Sequence, residues 1–229
     1  MSSSKHERDR SKFTGEGVRE YERRRYRGID QRIVHAREVR LIRKLVASIR
    51  DSGEEAGPNR ILDLPCGYGR FTELLRRGGA DIIDCDLSIE MVSRARANSG
   101  EPGVVADATQ GLPFKSDSFA FVFSIRFFHH LHDPSARAAV LREFLRVTSG
   151  WAIITFYRMN TLHLTQRRIR RLFGKSRTRI KMIEPGRFEK EAEAAGFELV
   201  RVLPLIPRLH AYHIALLRKN AEKGNGSCS

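Results

Sequence analysis

Between residues 31 and 50 the apolar positions recur at helical spacing. Val34, Leu41, Ile42, Leu45, Val46 and Ile49 share one face of a predicted helix. Residues 51–59 carry Gly53, Gly57 and Pro58 and read as a loop. After that loop the period alternates between short apolar runs and amphipathic stretches. Strands are predicted at 60–64, 81–86, 104–106, 119–125 and 151–157. Helices are predicted at 71–77 (ended by Gly78-Gly79), 89–98, 135–147 and 184–195 (closed by Gly196). Two further strand-like runs, 197–205 and 211–218, flank a short loop with Pro207 and predict an antiparallel hairpin. The strand–helix alternation before them implies a mostly parallel sheet with helices on both faces.

Composition narrows this picture. The chain has 229 residues, 41% hydrophobic and 30% charged, which suits one soluble domain with attachments. No run of about 18 apolar residues exists, which excludes a transmembrane helix. Residues 1–12 are Ser-rich and charged, without the apolar stretch of a secretory signal. Three cysteines (Cys66, Cys85 and Cys228) without a C-x-x-C pair argue against a disulfide framework and a structural zinc site. The expected compartment is the cytoplasm. Cys66 and Cys85 sit in or beside strands and read as buried small hydrophobes rather than nucleophiles.

Charge is uneven. Residues 1–50 carry 15 basic and 7 acidic groups (+8), 51–157 carry 11 and 14 (−3), 158–190 carry 11 and 2 (+9), and the remainder 5 and 4 (+1). Two basic flanks around an acidic centre suit an anionic membrane surface or a polyanion, with a solvated surface as the alternative. Within the second flank, 161–175 is a basic amphipathic pattern. Leu162, Ile169, Leu172 and Phe173 lie near one face, with Arg167, Arg168, Arg170, Arg171 and Lys175 elsewhere. Residues 16–29 place Arg23, Arg24 and Arg25 between Tyr21 and Tyr26.

Candidate chemistry starts where the predicted strand 60–64 runs into Pro65-Cys66-Gly67-Tyr68-Gly69 and then into a helix. In an open parallel sheet, ligands bind at the carboxyl ends of the strands. Glycines let the backbone approach closely, and a helix start favours an anionic group. Asp86 ends the second strand, 17 residues after Gly69, where a carboxylate can accept from both hydroxyls of a ribose. Ser88 is the better helix cap, which leaves the Asp86 carboxylate for another task. A dinucleotide fingerprint needs a third glycine, three residues after the second, and that position is Thr72. A ribose-bearing ligand without a diphosphate fits better.

With these residues in place, the stretch from Arg60 to Arg218 resembles the class I S-adenosylmethionine-dependent methyltransferases. LDLPCGYGRF, the strand ending DCDLS, the segment VVADATQGLPFKSDSFAFVFSIRFFHHLHDP and the closing hairpin carry the resemblance. The third piece is similar to the branch that includes ubiquinone and menaquinone biosynthesis methyltransferases. The resemblance implies a Rossmann-like α/β fold with a seven-stranded, mostly parallel sheet and a C-terminal antiparallel hairpin. It implies that Gly67 and Gly69, with Cys66 in the same loop, line the methionine portion of S-adenosylmethionine, with Asp63 beneath it. Asp86 would bind the ribose and Leu87 flank the adenine, while Asp107 would accept from the adenine amino group with Ala108 beside it. Ser124 and Arg126, at the end of the fourth strand, would face the cofactor and the substrate mouth. Pro65 stands where the family's first loop glycine usually is, and Ala120 where an acid usually follows Ser118-Phe119.

The expected organisation is a tail at 1–14, a basic helical lid at 15–58, the methyltransferase domain at 59–220 with a basic insertion or cap at 158–183, and a tail at 221–229. The expected activity is methyl transfer to a small-molecule or lipid-like acceptor, with no metal, and peripheral membrane attachment as an option. An RNA methyltransferase and a non-catalytic S-adenosylmethionine-binding protein stay open as alternatives. His129, His130 and Tyr157 are the candidates for a general base.

Overall fold

Seven strands form one sheet in the order β3-β2-β1-β4-β5-β7-β6. The computed structural model describes residues 29–53, 58–158, 182–184, 186–207 and 211–220. Strands β1 (Arg60–Asp63), β2 (Asp81–Asp86), β3 (Gly103–Val105), β4 (Phe119–Ser124) and β5 (Thr148–Tyr157) run parallel. Strand β7 (Tyr212–Lys219) is antiparallel to both β5 and β6 (Phe197–Pro204), which are its two neighbours. The predicted Rossmann-like sheet with a closing hairpin is therefore present.

The central strands are buried on both faces, so they read as unbroken apolar runs rather than alternating ones. Residues 121–124 of β4 and 151–156 of β5 are all buried. One face packs Val140, Leu141, Phe144 and Val147 of α4 (Pro134–Val147) together with Phe188 and Ala192 of α5 (Arg187–Ala195). The opposite face packs Ile42, Leu45 and Val46 of α1 (Ile29–Arg50) with Phe71 and with Leu75 of α2 (Thr72–Arg76). Helix α3 (Ile89–Ser99) lies against β2 and β3 and is capped by Ser88, whose side chain accepts from the Met91 N–H.

Two boundaries differ from the periodicity by three residues, each for a local reason. Helix α5 begins at Arg187 rather than 184, because Gly186 adopts φ 77° and breaks the helical path. Strand β5 starts at Thr148, three residues early. Thr148-Ser149-Gly150 has turn composition, yet Thr148 pairs with Phe119 across an irregularity in the ladder. The basic amphipathic pattern at 161–175, the Arg23–Tyr26 cluster and both tails lie outside the described residues. Among the described residues no helix is long and apolar enough to cross a membrane.

The part of the expected lid that is described is α1, and it is packed into the core. Ile42 and Leu45 are fully buried there. Leu45→Ala should therefore cost about 2–5 kcal/mol of global stability, as for a core leucine. Urea unfolding checks this: one transition with a lowered midpoint is expected, and an unchanged midpoint would mark α1 as a loosely attached arm.

Candidate functional site at the carboxyl edge of the sheet

The parallel strands all end on one edge, and the turns leaving them gather the chemically distinctive residues. After β1 the chain turns through Gly67 and Gly69, both left-handed at φ 56° and 77°. The two glycines serve different ends. A Cβ on Gly67 would meet nothing within 4 Å, so this backbone faces open space. A Cβ on Gly69 would stand 3.2 Å from the Ala95 Cα and 3.3 Å from the Thr72 Oγ1. Gly69 thus lets α3 approach the loop.

Asp86, at the end of β2, faces this turn. Its Oδ2 accepts from the Gly67 N–H at 3.0 Å and its Oδ1 from the Ser88 N–H at 3.0 Å. The carboxylate expected to be free is therefore already anchored by backbone N–H groups at both oxygens. Each oxygen retains a further lone pair. Burial raises its pKa, an effect opposed by the Ser88 and Gly67 N–H groups. Asp84, one turn of the pleat away, is occupied by Thr72 Oγ1 and Ser99 Oγ and holds α2 and α3 to β2.

Asp63 is 2% exposed, and its Oδ2 has no hydrogen-bond partner among the described residues. Burial first, then the neighbouring Asp84 and Asp86, raise its pKa well above the usual carboxylate range. Ser124 Oγ, at the end of β4, is likewise buried without a partner. Cys66 and Cys85 are buried thiols. Burial pushes the Cys85 thiol up to about 12 and Cys66 higher still, so neither is a thiolate nucleophile at neutral pH. Leu87 beside Asp86 is 46% exposed, a large apolar side chain at the mouth. Asp107, just beyond β3, accepts from Thr109 N–H and Oγ1 through one oxygen only, Oδ1; Ala108 beside it is buried.

The other half of the edge has different chemistry. Arg126 follows β4 in a left-handed conformation, φ 62°, with its N–H donating to Thr155 Oγ1 at 2.6 Å. A non-glycine residue there costs about 1–2 kcal/mol. Its guanidinium grips Glu38 of α1, Nε to Oε1 at 3.2 Å and Nη2 to Oε2 at 3.0 Å. Glu38 is fully buried. It also accepts from Arg70 Nη2 at 2.7 Å and from the Tyr212 hydroxyl at 2.6 Å. Arg70 additionally contacts His35. A line of rings continues from this cluster. Tyr212 meets Tyr157 at 5.2 Å, Tyr157 meets His129 at 5.1 Å, and His129 meets His130 at 3.9 Å.

The structure thus brings together Asp63, Cys66, Gly67 and Asp86 on one half of the edge and Arg126, His129, His130 and Tyr157 on the other. Sequence reasoning missed Glu38, Arg70 and Tyr212. One signal existed: Glu38 lies four residues before Ile42 and seven before Leu45, on the apolar stripe of a helix. A surface groove of about 410 Å³ between α4 and α5 contains none of these residues. Among the described residues no cluster of His, Cys, Asp and Glu could hold a metal ion.

Residues 62–154, which span β1 to β5 and both halves of this edge, match the methyltransferase domain family. That segment of the chain is a methyltransferase domain. It is similar to a demethylmenaquinone methyltransferase of Beutenbergia cavernae, 37% identical over 89 residues, covering 39% of this chain and 36% of that one. It is also similar to a ubiquinone biosynthesis O-methyltransferase of Cereibacter sphaeroides, 29% identical over 91 residues, covering 38% and 37%. These matches span just over a third of either relative's length. In fold, it resembles the magnesium protoporphyrin IX methyltransferase of Synechocystis with bound S-adenosylhomocysteine. The TM-score is 0.74 at 18% identity, over 92% of this chain and 98% of that one.

Charge on Glu38 is what the second half of this methyltransferase edge is built around. Burial pushes its carboxyl up, but the Arg126 and Arg70 charges and the bonds from Arg126 and Tyr212 bring it below the usual glutamate value. A carboxyl depressed in the folded state contributes stability that is complete above its unfolded pKa, about 4.3, and drains away as pH falls through the folded value. Glu38→Gln should therefore cost about 3–5 kcal/mol at pH 7, the scale for breaking a buried ion pair. Its deficit against wild type should shrink below pH 4. Chemical denaturation at both pH values checks this, and a pH-independent deficit would contradict it.

Proposed function

We propose that the chain transfers a methyl group from S-adenosylmethionine to a small-molecule acceptor. The observation that carries this reading is the cradle at Gly67: a left-handed turn open to solvent, with its N–H on Asp86 and an unpartnered buried Asp63 oxygen beside it. The residues present fit the cofactor. Asp86 has a lone pair on each oxygen for the two ribose hydroxyls. Exposed Leu87 can cover a face of adenine. Asp107 Oδ2 can accept from the adenine amino group, with Ala108 beside it. A cationic amine against Asp63 would supply the partner that its Oδ2 lacks and lower its raised pKa. Cys66 and Gly69 shape the same turn, and the Ser124 hydroxyl lies at its border with the acceptor half.

The cofactor supplies a methyl group on a positively charged sulfur, an activated donor. The protein's task is then mainly to hold acceptor and donor in line. The acceptor falls to the β4–β5–β7 half, where Arg126, Tyr157, His129 and His130 stand. If the acceptor atom carries a proton of high pKa, His129, His130 or Tyr157 takes it. The relatives' names, referring to ubiquinone and menaquinone biosynthesis and to magnesium protoporphyrin IX, support a small-molecule acceptor.

Calorimetry with S-adenosylhomocysteine tests the cradle. Asp86→Ala should weaken binding by about 1.5–3 kcal/mol, the scale of charge-assisted hydrogen bonds. Gly67→Val should abolish binding with only the modest loss of stability that left-handed strain imposes, about 1–2 kcal/mol. Gly69→Val should lower the melting temperature more, because its side chain also meets α3. Normal affinity in both Asp86→Ala and Gly67→Val would place the cofactor elsewhere.

A further inference from the structure

We propose that the acceptor carries a carboxylate, which the outer edge of the Arg126 guanidinium holds against the ring-lined half of the site. This rests on the reading above, in which the cofactor occupies the β1–β3 half. Arg126 commits Nε and Nη2 to Glu38, and Nη1 makes no hydrogen bond to any described residue. The side chain is 21% exposed, so the guanidinium is not sealed into the core. A guanidinium offers its donors as two planar edges. One edge is fixed by a fully buried carboxylate, which leaves the other pre-oriented for a second carboxylate.

Two observations locate that second anion on the acceptor side. The Arg126 backbone is held in its left-handed turn by Thr155 of β5, and its guanidinium carbon lies 5.6 Å from the centre of the Tyr212 ring. The arginine therefore belongs spatially to β5 and β7. Tyr212 is buried behind it, and the half-buried rings of Tyr157 and His129 and the exposed ring of His130 follow, each in contact with the next. Aromatic edges and faces of this kind pack against flat apolar frameworks. A cation at one end of a line of rings is the complement of an aromatic acid. Glu38 acts here as a positioning residue, and Arg126, expected from the sequence to face the cofactor and the substrate mouth, serves the acceptor.

A carboxylate at this place could come from the acceptor or from the methionine end of the cofactor, and the two sources are separable. The full chain is loaded with S-adenosylhomocysteine, and 2-naphthoate and 2-naphthamide are compared as probes by saturation-transfer NMR. Wild type should favour the acid by about tenfold or more, equivalent to one charge-assisted bond. Arg126→Gln should remove that preference while leaving the affinity for S-adenosylhomocysteine within about threefold. Arg126→Lys keeps a cation for Glu38 but lacks the second planar edge. It should lose the preference too, and it guards against a folding defect in the first variant. Equal binding of acid and amide to wild type, or binding of neither, would overturn the proposal. So would an Arg126→Gln variant that loses S-adenosylhomocysteine by about tenfold yet still binds 5′-methylthioadenosine like wild type, since the arginine would then hold the methionine carboxylate. Failure of wild type to bind S-adenosylhomocysteine at all would instead defeat the methyl-transfer reading on which this proposal depends.

Discussion

A single carboxylate, that of Glu38, sits in the core where four segments of the chain meet. Moving a carboxylate out of water costs several kcal/mol, and only well-placed charge and hydrogen bonding offset this. Here the offset comes from Arg126 after β4, Arg70 beside the glycine turn and Tyr212 at the start of β7. Each of these segments is fixed by its bond to the same two oxygens. Helix α1, the glycine turn, the left-handed turn at Arg126 and the closing hairpin are therefore mutually conditional. A group that is costly if any partner is missing favours the one arrangement in which all are present.

The carboxyl edge is divided by charge as a consequence. On the β1–β3 half stand Asp63, Asp84, Asp86 and Asp107. Asp84 is occupied by side-chain hydroxyls and Asp86 by backbone N–H groups, while Asp63 keeps an oxygen without a partner. On the β4–β7 half stand Arg126 and a line of rings. Such a division suits a two-substrate site: hydroxyls and a cationic amine are taken by carboxylates on one side, and a flat anionic molecule by a cation and rings on the other. The residues proposed for the cofactor sit at strand ends, and Arg126, proposed for the acceptor, is held by the buried Glu38.

The strands and helices were legible because burial on both faces or on one stripe leaves a period in the sequence. Strand β2 falls at 81–86 as read, and α3 and α4 differ from the reading by a single residue at one end. Residues whose position in the chain determines their place, such as Asp86 at the end of β2, were legible for the same reason. Glu38 was not, because it sits in a helix with many cations, where an acid normally reads as a solvated surface charge. Its partners are 32, 88 and 174 residues away, and no local pattern records such pairings. The division of labour between Gly67 and Gly69 was hidden as well. Both adopt left-handed conformations, but only the packing of α3 distinguishes them. Arg126 was found by its place after β4, while the turn that swings it onto Glu38 depends on Thr155 in another strand.

The most direct measurement is a crystal structure of the full chain with S-adenosylhomocysteine. Ribose hydroxyls should lie on Asp86 and the homocysteine portion along the Gly67 turn, with Arg126 still bound to Glu38 through two nitrogens and its third facing the space beyond the sulfur. A ligand seated on the β4–β7 half, or Arg126 released from Glu38 onto the homocysteine carboxylate, would contradict this arrangement.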